Sequence, residues 1–486
     1  MSNLSLVDPF YSLIWITENY RRNPTEVMME SELAVFGGSP IRRRHWPKWP
    51  LATPNTQRCL LDVLHSGKWA ISGWSDVSDT FERRLSKAFA TYVNRSYCVA
   101  CSHGSAALSI ALQALNVGPG DDVVLTGLTW VACPSAIVRL GARPILVDIE
   151  ADGLCASAST IERAITRQTR VILMIHMYSS ICDVAAYLDV ARRSGIALLE
   201  DASQAHGASL RDGQIGSFGE ISVFSTQQSK LLTSGEGGLC VTDDSVLYQK
   251  MQQLRADGRQ YRSDPFRASA VCDVHSAAAV GIRGCSAIAP DGYELEAVGD
   301  VAGQNLCLTE FQSALLLDGL SRLDQENAHR QTCVDALAKC LESIEGVELI
   351  LPESYVEKPT YYRLTVRIDR SAFADLSAQE IVPALAVELG TDVRRVDAPL
   401  NRHPLYVPAR ARMVACNSGL RDALEPGRFA LPLSERAYEE VVTFPHQILL
   451  SAPEDMQDVA NALEKVRRCA PRLKARAHQL EIPGDV

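Results

Sequence analysis

Apolar positions recur with helical spacing over Phe81–Tyr92, so that stretch is expected to be an amphipathic helix. After it, short apolar runs alternate with further helical segments. Strands are expected at Ser96–Ala100 and Asp122–Leu125, and helices at Ala106–Ala114 and Cys133–Arg139. The runs Pro144–Val147, Val171–Ile175 and Ile196–Glu200 are nearly continuous in apolar residues, which suits parallel strands buried on both faces. Ala185–Arg193 fits a crossover helix between the last two. Ile221–Phe224 and Gly238–Thr242 are further strands, with antiparallel pairing an open option. The pattern is that of a layered α/β domain, whose strand-end loops are where cofactors bind.

The pattern then changes. Residues 256–300 are rich in Gly, Ala, Ser and Asp without a period and are expected to be a long loop over the site. Glu310–Leu323 opens a helical run that continues to about Glu342. Residues 345–470 are expected to form a smaller α+β unit, with strands at Val347–Leu351 and Tyr362–Ile368 and helices at Ala378–Leu389 and Pro453–Arg467. At the other end, Leu4–Tyr20 is compatible with a helix, and Trp46, Pro47, Trp49 and Pro50 suggest an extended arm. The expected division is an extension (1–31), a large domain with its arm (32–320), a small C-terminal domain (321–470) and a charged, frayed tail (471–486).

Composition narrows the partners. The net charge is −10, from 48 basic and 58 acidic residues, with no long Lys/Arg run, so neither nucleic acid nor an anionic membrane is an expected partner. The 14 cysteines are scattered, and no secretory signal or membrane span is visible, which points to free thiols in a reducing cytoplasm. Cys98 and Cys101 have CxxC spacing but sit in an apolar run with no second ligand pair; they are expected in the core, and no metal is expected.

The chemistry concentrates in two segments. Leu198-Leu-Glu-Asp-Ala-Ser-Gln delivers Asp201 to a strand end. About thirty residues later Lys230 lies among small and polar residues, followed by Gly235, Gly237 and Gly238. A carboxylate that keeps a pyridinium nitrogen protonated, and an amine that forms a Schiff base, are the two groups a pyridoxal phosphate (PLP) site needs. Either alone has an ordinary reading, as a helix cap or a solvated lysine; their order and spacing carry the inference. Cys101-Ser-His-Gly-Ser-Ala opens a helix after a strand, a natural cradle for a phosphate dianion, with the Ser105 hydroxyl as an added donor. Ser225 is within reach of the same phosphate, Trp130 can stack on the ring, and Gln204 can bond its hydroxyl. Asn305 lies so far along the chain that a second subunit is its expected route to the site.

Together these motifs resemble the DegT/DnrJ/EryC1/StrS sugar aminotransferase family, from about Glu32 to about Arg467. A closer likeness, to the inosose aminotransferases of that family, rests on several segments. These are Ala34-Val-Phe-Gly-Gly-Ser-Pro, Leu64-His-Ser-Gly-Lys-Trp-Ala-Ile-Ser-Gly, Gly127-Leu-Thr-Trp-Val-Ala, His176-Met-Tyr-Ser-Ser, Gln227-Gln-Ser-Lys-Leu-Leu-Thr-Ser-Gly, Arg402-His-Pro-Leu-Tyr and Phe444-Pro-His-Gln. The resemblance implies a fold-type I PLP-dependent aminotransferase, with a large, mostly parallel-sheet domain and a smaller α+β domain. It implies catalytic Lys230 and Asp201, phosphate contacts from Ser105, Ala106 and Ser225, and ring contacts from Trp130 and Gln204. It further implies a homodimer sharing Asn305 across its interface. The amino donor is expected to be L-glutamine and the acceptor a cyclic ketone such as scyllo-inosose, in antibiotic or other secondary metabolism. His176, Tyr178, His403 and Tyr406 are candidates to bond the acceptor's hydroxyls. Two other readings stay open: a nucleotide-linked keto-sugar or shikimate-like ring as acceptor, with Arg255, Arg259 and Arg262 available for a diphosphate, and a non-catalytic PLP-binding regulator. Against the family pattern stand His103 beside the phosphate loop, the N-terminal extension and the composition of 256–300.

Overall fold

A computed structural model of the chain describes residues 32–72, 80–262 and 294–477. Seven strands form the central sheet: β1 (Tyr97–Cys101), β2 (Asp122–Thr126), β3 (Arg143–Val147), β4 (Thr169–Ile175), β5 (Ala197–Asp201), β6 (Ile221–Ser225) and β7 (Gly238–Thr242). Their spatial order is β1-β7-β6-β5-β4-β2-β3. The β3–β2–β4–β5–β6 pairings are parallel, whereas β7 runs antiparallel to both neighbours. The expected strands are all present, shifted by a residue or so at their ends, and the option left open for the last two resolves to antiparallel. Consequently β1 and the five strands β2–β6 point the same way. Their C-terminal ends, with the start of β7, form one edge.

That edge is firmly based because the sheet is buried: every residue of β2 is buried, as are all but the first of β1 and β5. Helices α1 (Gly104–Ala114), α2 (Ala132–Arg139) and α3 (Val184–Ser194) follow β1, β2 and β4. Asp183 caps the start of α3 by accepting from Ala186 N, and Gly195 ends it at φ 64°, a left-handed conformation suited to glycine.

A second core is built on a four-stranded sheet containing β8 (Val347–Leu349), β9 (Arg363–Ile368), β10 (Arg394–Arg395) and β11 (Val441–Pro445), in the order β8-β9-β11-β10. Leu364, Val366, Ile368 and Phe444 are buried in it. Four expectations change here. Residues 33–46, assigned to the large domain, instead bury Leu33, Val35, Phe36 and Trp46 in the second core, where Trp46 Nε1 donates to Leu389 O (2.7 Å). The helical run from Glu310 breaks at Ser321–Arg322, so Glu310–Leu320 and Leu323–Leu341 are separate helices; Arg322 turns back to Asp318 at the break, Nη1 to Oδ2, 2.6 Å. The tail does not begin at 471, because the last helix runs Met456–Ala477 and buries Ala470 and Leu473 in the second core. The flanks of the expected 256–300 loop pair as an antiparallel ribbon, Arg259–Tyr261 with Leu295–Ala297. The helix expected at Leu4–Tyr20 and the centre of that loop lie outside the described residues. Among the described residues, no helix is long and apolar enough to cross a membrane.

Candidate active site

A cavity of about 510 Å³ opens at the C-terminal edge of the sheet. One of its walls comes from the strand ends. His103, Gly104 and Ser105 follow β1, Thr129 and Trp130 follow β2, His176 and Tyr178 follow β4, Asp201 ends β5 and Ser225 ends β6. Lys230 lies in the turn beyond β6, its backbone N–H bonded to Gln227 O (2.9 Å). The opposite wall comes from the second core: Tyr362, Arg363, Asp392, Arg394, Arg395 and Asp397.

The start of α1 is arranged as an anion cradle. His103 is its N-cap, with Nδ1 accepting from Ala106 N (2.9 Å). That bond uses the Ala106 N–H, one of the phosphate donors expected from the sequence. It also explains the histidine, since a ring nitrogen does the work of the usual Ser, Thr, Asp or Asn cap. Gly104 is required by close approach, because a Cβ there would lie 2.6 Å from Ser225 Cβ. The helix end and the Ser105 and Ser225 hydroxyls therefore face one small space, where free N–H groups and the helix dipole favour a dianion.

Asp201 is 5% exposed. Its Oδ1 accepts from Ser203 N (3.0 Å) and its Oδ2 from the Cys133 thiol (3.4 Å). Burial, and then the Asp201 charge, push that thiol well above its usual range, so Cys133 stays protonated as a donor. Lys230 Nζ stands 4.0 Å from the centre of the Tyr362 ring. Burial pushes the Tyr362 phenol up, but the Lys230 ammonium, the Ser229 hydroxyl (2.9 Å) and Arg363 outweigh it and hold the phenol below its ordinary value. Amine, buried carboxylate and anion cradle thus line one cavity. This donor set fits PLP, whose bound form supplies an electron sink for charge developing at an amino acid Cα.

The other sequence candidates divide. Trp130 is half exposed at the rim, its ring edge-on to His403 at 6.0 Å. Gln204 lines the cavity, and its Oε1 accepts from Tyr178 N (2.7 Å). Tyr178 adopts φ 56°, unusual for a bulky residue, and stacks on Tyr362 at 6.4 Å and 5°. Its hydroxyl accepts from Asp397 N (2.7 Å), bridging the two walls. Both ring nitrogens of His176 are engaged within the protein: Nδ1 accepts from Cys182 N (3.2 Å), so the proton sits on Nε2, facing Glu200 Oε1 (3.3 Å). Burial raises the Glu200 carboxyl, but His176, Gly216 N and the Ser222 hydroxyl outweigh it and hold it below the ordinary range. His176 thus lines the cavity with both ring nitrogens already bonded within the protein. His403 and Tyr406 are not among the cavity-lining residues. His403 Nδ1 accepts from Leu405 N, and Tyr406 is buried in the first core. Asn305 is exposed on a segment beside the end of β1, where Leu306 O accepts from Ser102 N (2.7 Å), and it does not line this chain's cavity. Arg255, once available for a diphosphate, is fully buried and bonded to Glu82, Gln252 and Ala100 O.

The residues of the second wall escaped the sequence reading. Tyr362 and Arg363 sit at the start of an expected strand, and Asp392, Arg394 and Arg395 resemble solvated turn charges. Cys133 did carry a local signal, lying one helical turn beyond Thr129 in the helix after the Gly127 loop.

A model of the DegT/DnrJ/EryC1/StrS aminotransferase family matches residues 54–464. The L-glutamine:scyllo-inosose aminotransferase of Streptomyces griseus is 40% identical over 438 residues, covering 90% of this chain and 98% of that protein. The L-glutamine:2-deoxy-scyllo-inosose aminotransferase of Micromonospora echinospora is 40% identical over 436 residues, covering 89% and 97%. Among solved structures, 3-amino-5-hydroxybenzoic acid synthase superposes with a TM-score of 0.68 at 24% identity, covering 88% of this chain and 99% of that one, which establishes a shared fold.

Proposed function

Given that the chain belongs to the DegT/DnrJ/EryC1/StrS aminotransferase family and is a PLP-dependent transaminase, we propose that it moves an amino group from L-glutamine to a cyclic ketone of the scyllo-inosose class, in the making of an aminocyclitol. The observation that carries the reading is the meeting of the Lys230 amine, the Asp201 carboxylate and the α1 anion cradle in one cavity. Two relatives 40% identical over about nine-tenths of the chain support the choice of donor and acceptor.

Each residue then has a task. Asp201 holds a proton on the ring nitrogen, and Cys133 fixes the carboxylate by bonding its second oxygen. Lys230 would hold the cofactor between turnovers, and its freed amine would accept the proton from the donor's Cα. Ser105, Ser225 and the N-terminus of α1 hold the phosphate. Trp130 and Gln204 would hold the ring, the first by stacking and the second by a bond to its hydroxyl. Tyr178, whose ring lines the cavity, flanks the acceptor. A nucleotide-linked acceptor is less well supported, because Arg255 is consumed in the core. The working unit in this reading is a homodimer in which Asn305 of one protomer serves the other's cradle; its exposure beside β1, outside its own cavity, supports that placement. A reducing cytoplasm suits the twelve free cysteines among the described residues.

The test is a half-reaction. Adding L-glutamine alone to the PLP-loaded protein should remove the absorbance of lysine-bound cofactor, and scyllo-inosose should then restore it. Absorbance that persists with glutamine, glutamate and alanine alike would overturn the donor assignment. A folded protein that develops no such absorbance with PLP would overturn the role given to Lys230.

A further inference from the structure

Four carboxylates line the cavity, and they are not equivalent. Asp201 is bonded through both oxygens, to Ser203 N and to the Cys133 thiol. Asp392 takes Arg363 on one oxygen (3.2 Å) and Arg394 on the other (2.7 Å). Glu236 is exposed to solvent. Asp397 differs from all three. It is half-buried, and among the described residues no hydrogen bond or ion pair reaches its carboxylate.

The fold holds this carboxylate in place. Val396 and Leu400, on either side of it, are buried in the first core, and Leu400 N donates to Gly127 O (2.8 Å). Asp397 N donates to the Tyr178 hydroxyl (2.7 Å). The Tyr178 ring stacks on Tyr362, which carries Lys230 Nζ 4.0 Å from its centre. Catalytic amine and unpaired carboxylate are therefore tied to the same two rings. Asp397 is within electrostatic range of both phenols and of His403, while Arg363 and Arg394 turn to Asp392 instead. An ionised carboxylate has acceptor sites and no donor. In a half-buried place it attracts N–H and O–H groups and repels a second anion more strongly than it would in water.

Resting on the reading that the donor is L-glutamine, we propose that Asp397 is the specificity residue that separates glutamine from glutamate, accepting an N–H of the side-chain amide and repelling a side-chain carboxylate in the same place. The two amino acids have nearly the same shape, so a pocket that selects on size cannot tell them apart. A fixed charge can, because it adds a penalty to the wrong partner as well as a bond to the right one. The same rule suits the other half of the cycle, since the ketone of that reading carries hydroxyls and no anion.

The experiment titrates the full-length, PLP-loaded protein with L-glutamine and with L-glutamate, following the absorbance of lysine-bound cofactor, and repeats both titrations in D397N and D397E. Wild type should need at least about 10-fold more glutamate than glutamine for half-maximal loss of absorbance, because like charges set together are strongly disfavoured. In D397N the glutamate requirement should fall about 10-fold or more. The glutamine requirement should rise about 3- to 10-fold, the step from a charge-assisted to a neutral hydrogen bond. D397E, which keeps the charge, should keep the preference for glutamine. Calorimetry gives a readout without turnover: glutaric acid monoamide should bind wild type more tightly than glutarate does, and D397N should lose that order. Wild type that takes glutamate as readily as glutamine, or D397N that keeps the wild-type preference, overturns the assignment. Wild-type protein that responds to no amino acid instead overturns the donor reading beneath it. Should D397N not fold, D397S, which also removes the charge, takes its place with the same two outcomes.

Discussion

Glu388 should be worth more to this protein than its distance from the cavity suggests. It is fully buried, and its carboxylate accepts from Ala34 N (2.7 Å) and Ile41 N (3.0 Å) while lying 2.9 Å from Lys465 Nζ. Lys465, itself 5% exposed, has one other partner, Ser39 O (2.8 Å). Truncation in E388A leaves a buried ammonium without its counter-charge, which costs about 3–5 kcal/mol. The two backbone N–H groups lose their acceptor as well, at about 1 kcal/mol or more each where water does not replace it. The effect should spread, because these bonds pin residues 34–41 to the second core, and the same arm continues to Trp49, whose Nε1 donates to Gln228 O (3.1 Å) two residues before Lys230. Urea unfolding of wild type, E388A, K465M and the double variant should give a coupling energy well above about 0.5 kcal/mol, and E388A should bind PLP more weakly. Coupling below that value, or an E388A protein less than about 1 kcal/mol weaker than wild type, would refute this account of the arm.

Two further outcomes follow from the geometry. In G104V the added carbons meet Ser225 2.6 Å away, so PLP affinity should drop by roughly 5- to 150-fold, the equivalent of overpacking; G118A, where nothing lies within 4 Å, should bind PLP as wild type does, and a spectroscopic titration of both variants checks the pair. Glu310 is pushed up to about 7, first by burial and then by the charge of Glu82. The fold therefore prefers its protonated form, and this group's contribution is fully present below about pH 4.5 and is lost as the pH rises to about 7; melting temperatures across that range should fall less steeply for E310Q than for wild type.

How far the sequence foretold this depends on the kind of residue. The apolar runs that became β3, β4 and β5 were legible because their continuity and short length suit a strand covered on both faces. Lys230 and Asp201 were legible because their chemistry demands a fixed order along a short stretch. The second wall was not: Arg363 and Arg394 lie more than a hundred residues beyond Lys230, and a charged residue near a strand end looks solvated until the fold brings it opposite a catalytic amine. His176 and Tyr406 are ambiguous in the other direction. A polar aromatic suits a sugar-binding surface and a buried framework equally well, and only the partners of its nitrogens or its neighbours in the core separate the two. The break at Ser321–Arg322 was invisible because Arg322 and Asp318 suit a continuous helix as well as a kinked one.

The helix Leu323–Leu341 has one end in each core: Leu323 packs with the first, and Cys333, Val334, Leu337 and Leu341 pack with the second. At 19 residues it is a strut of about 28 Å. Its length and phase are therefore part of the instrument. One inserted residue would turn the helix beyond it by about 100° and set the face that packs in the second core out of phase with Leu323 in the first. The two walls nevertheless touch directly, through Tyr362 on Lys230 and through Asp397 N on the Tyr178 hydroxyl, so the strut sets the distance across which those contacts are made. The cavity's width is thus fixed by a single rigid helix rather than by the loops that line it.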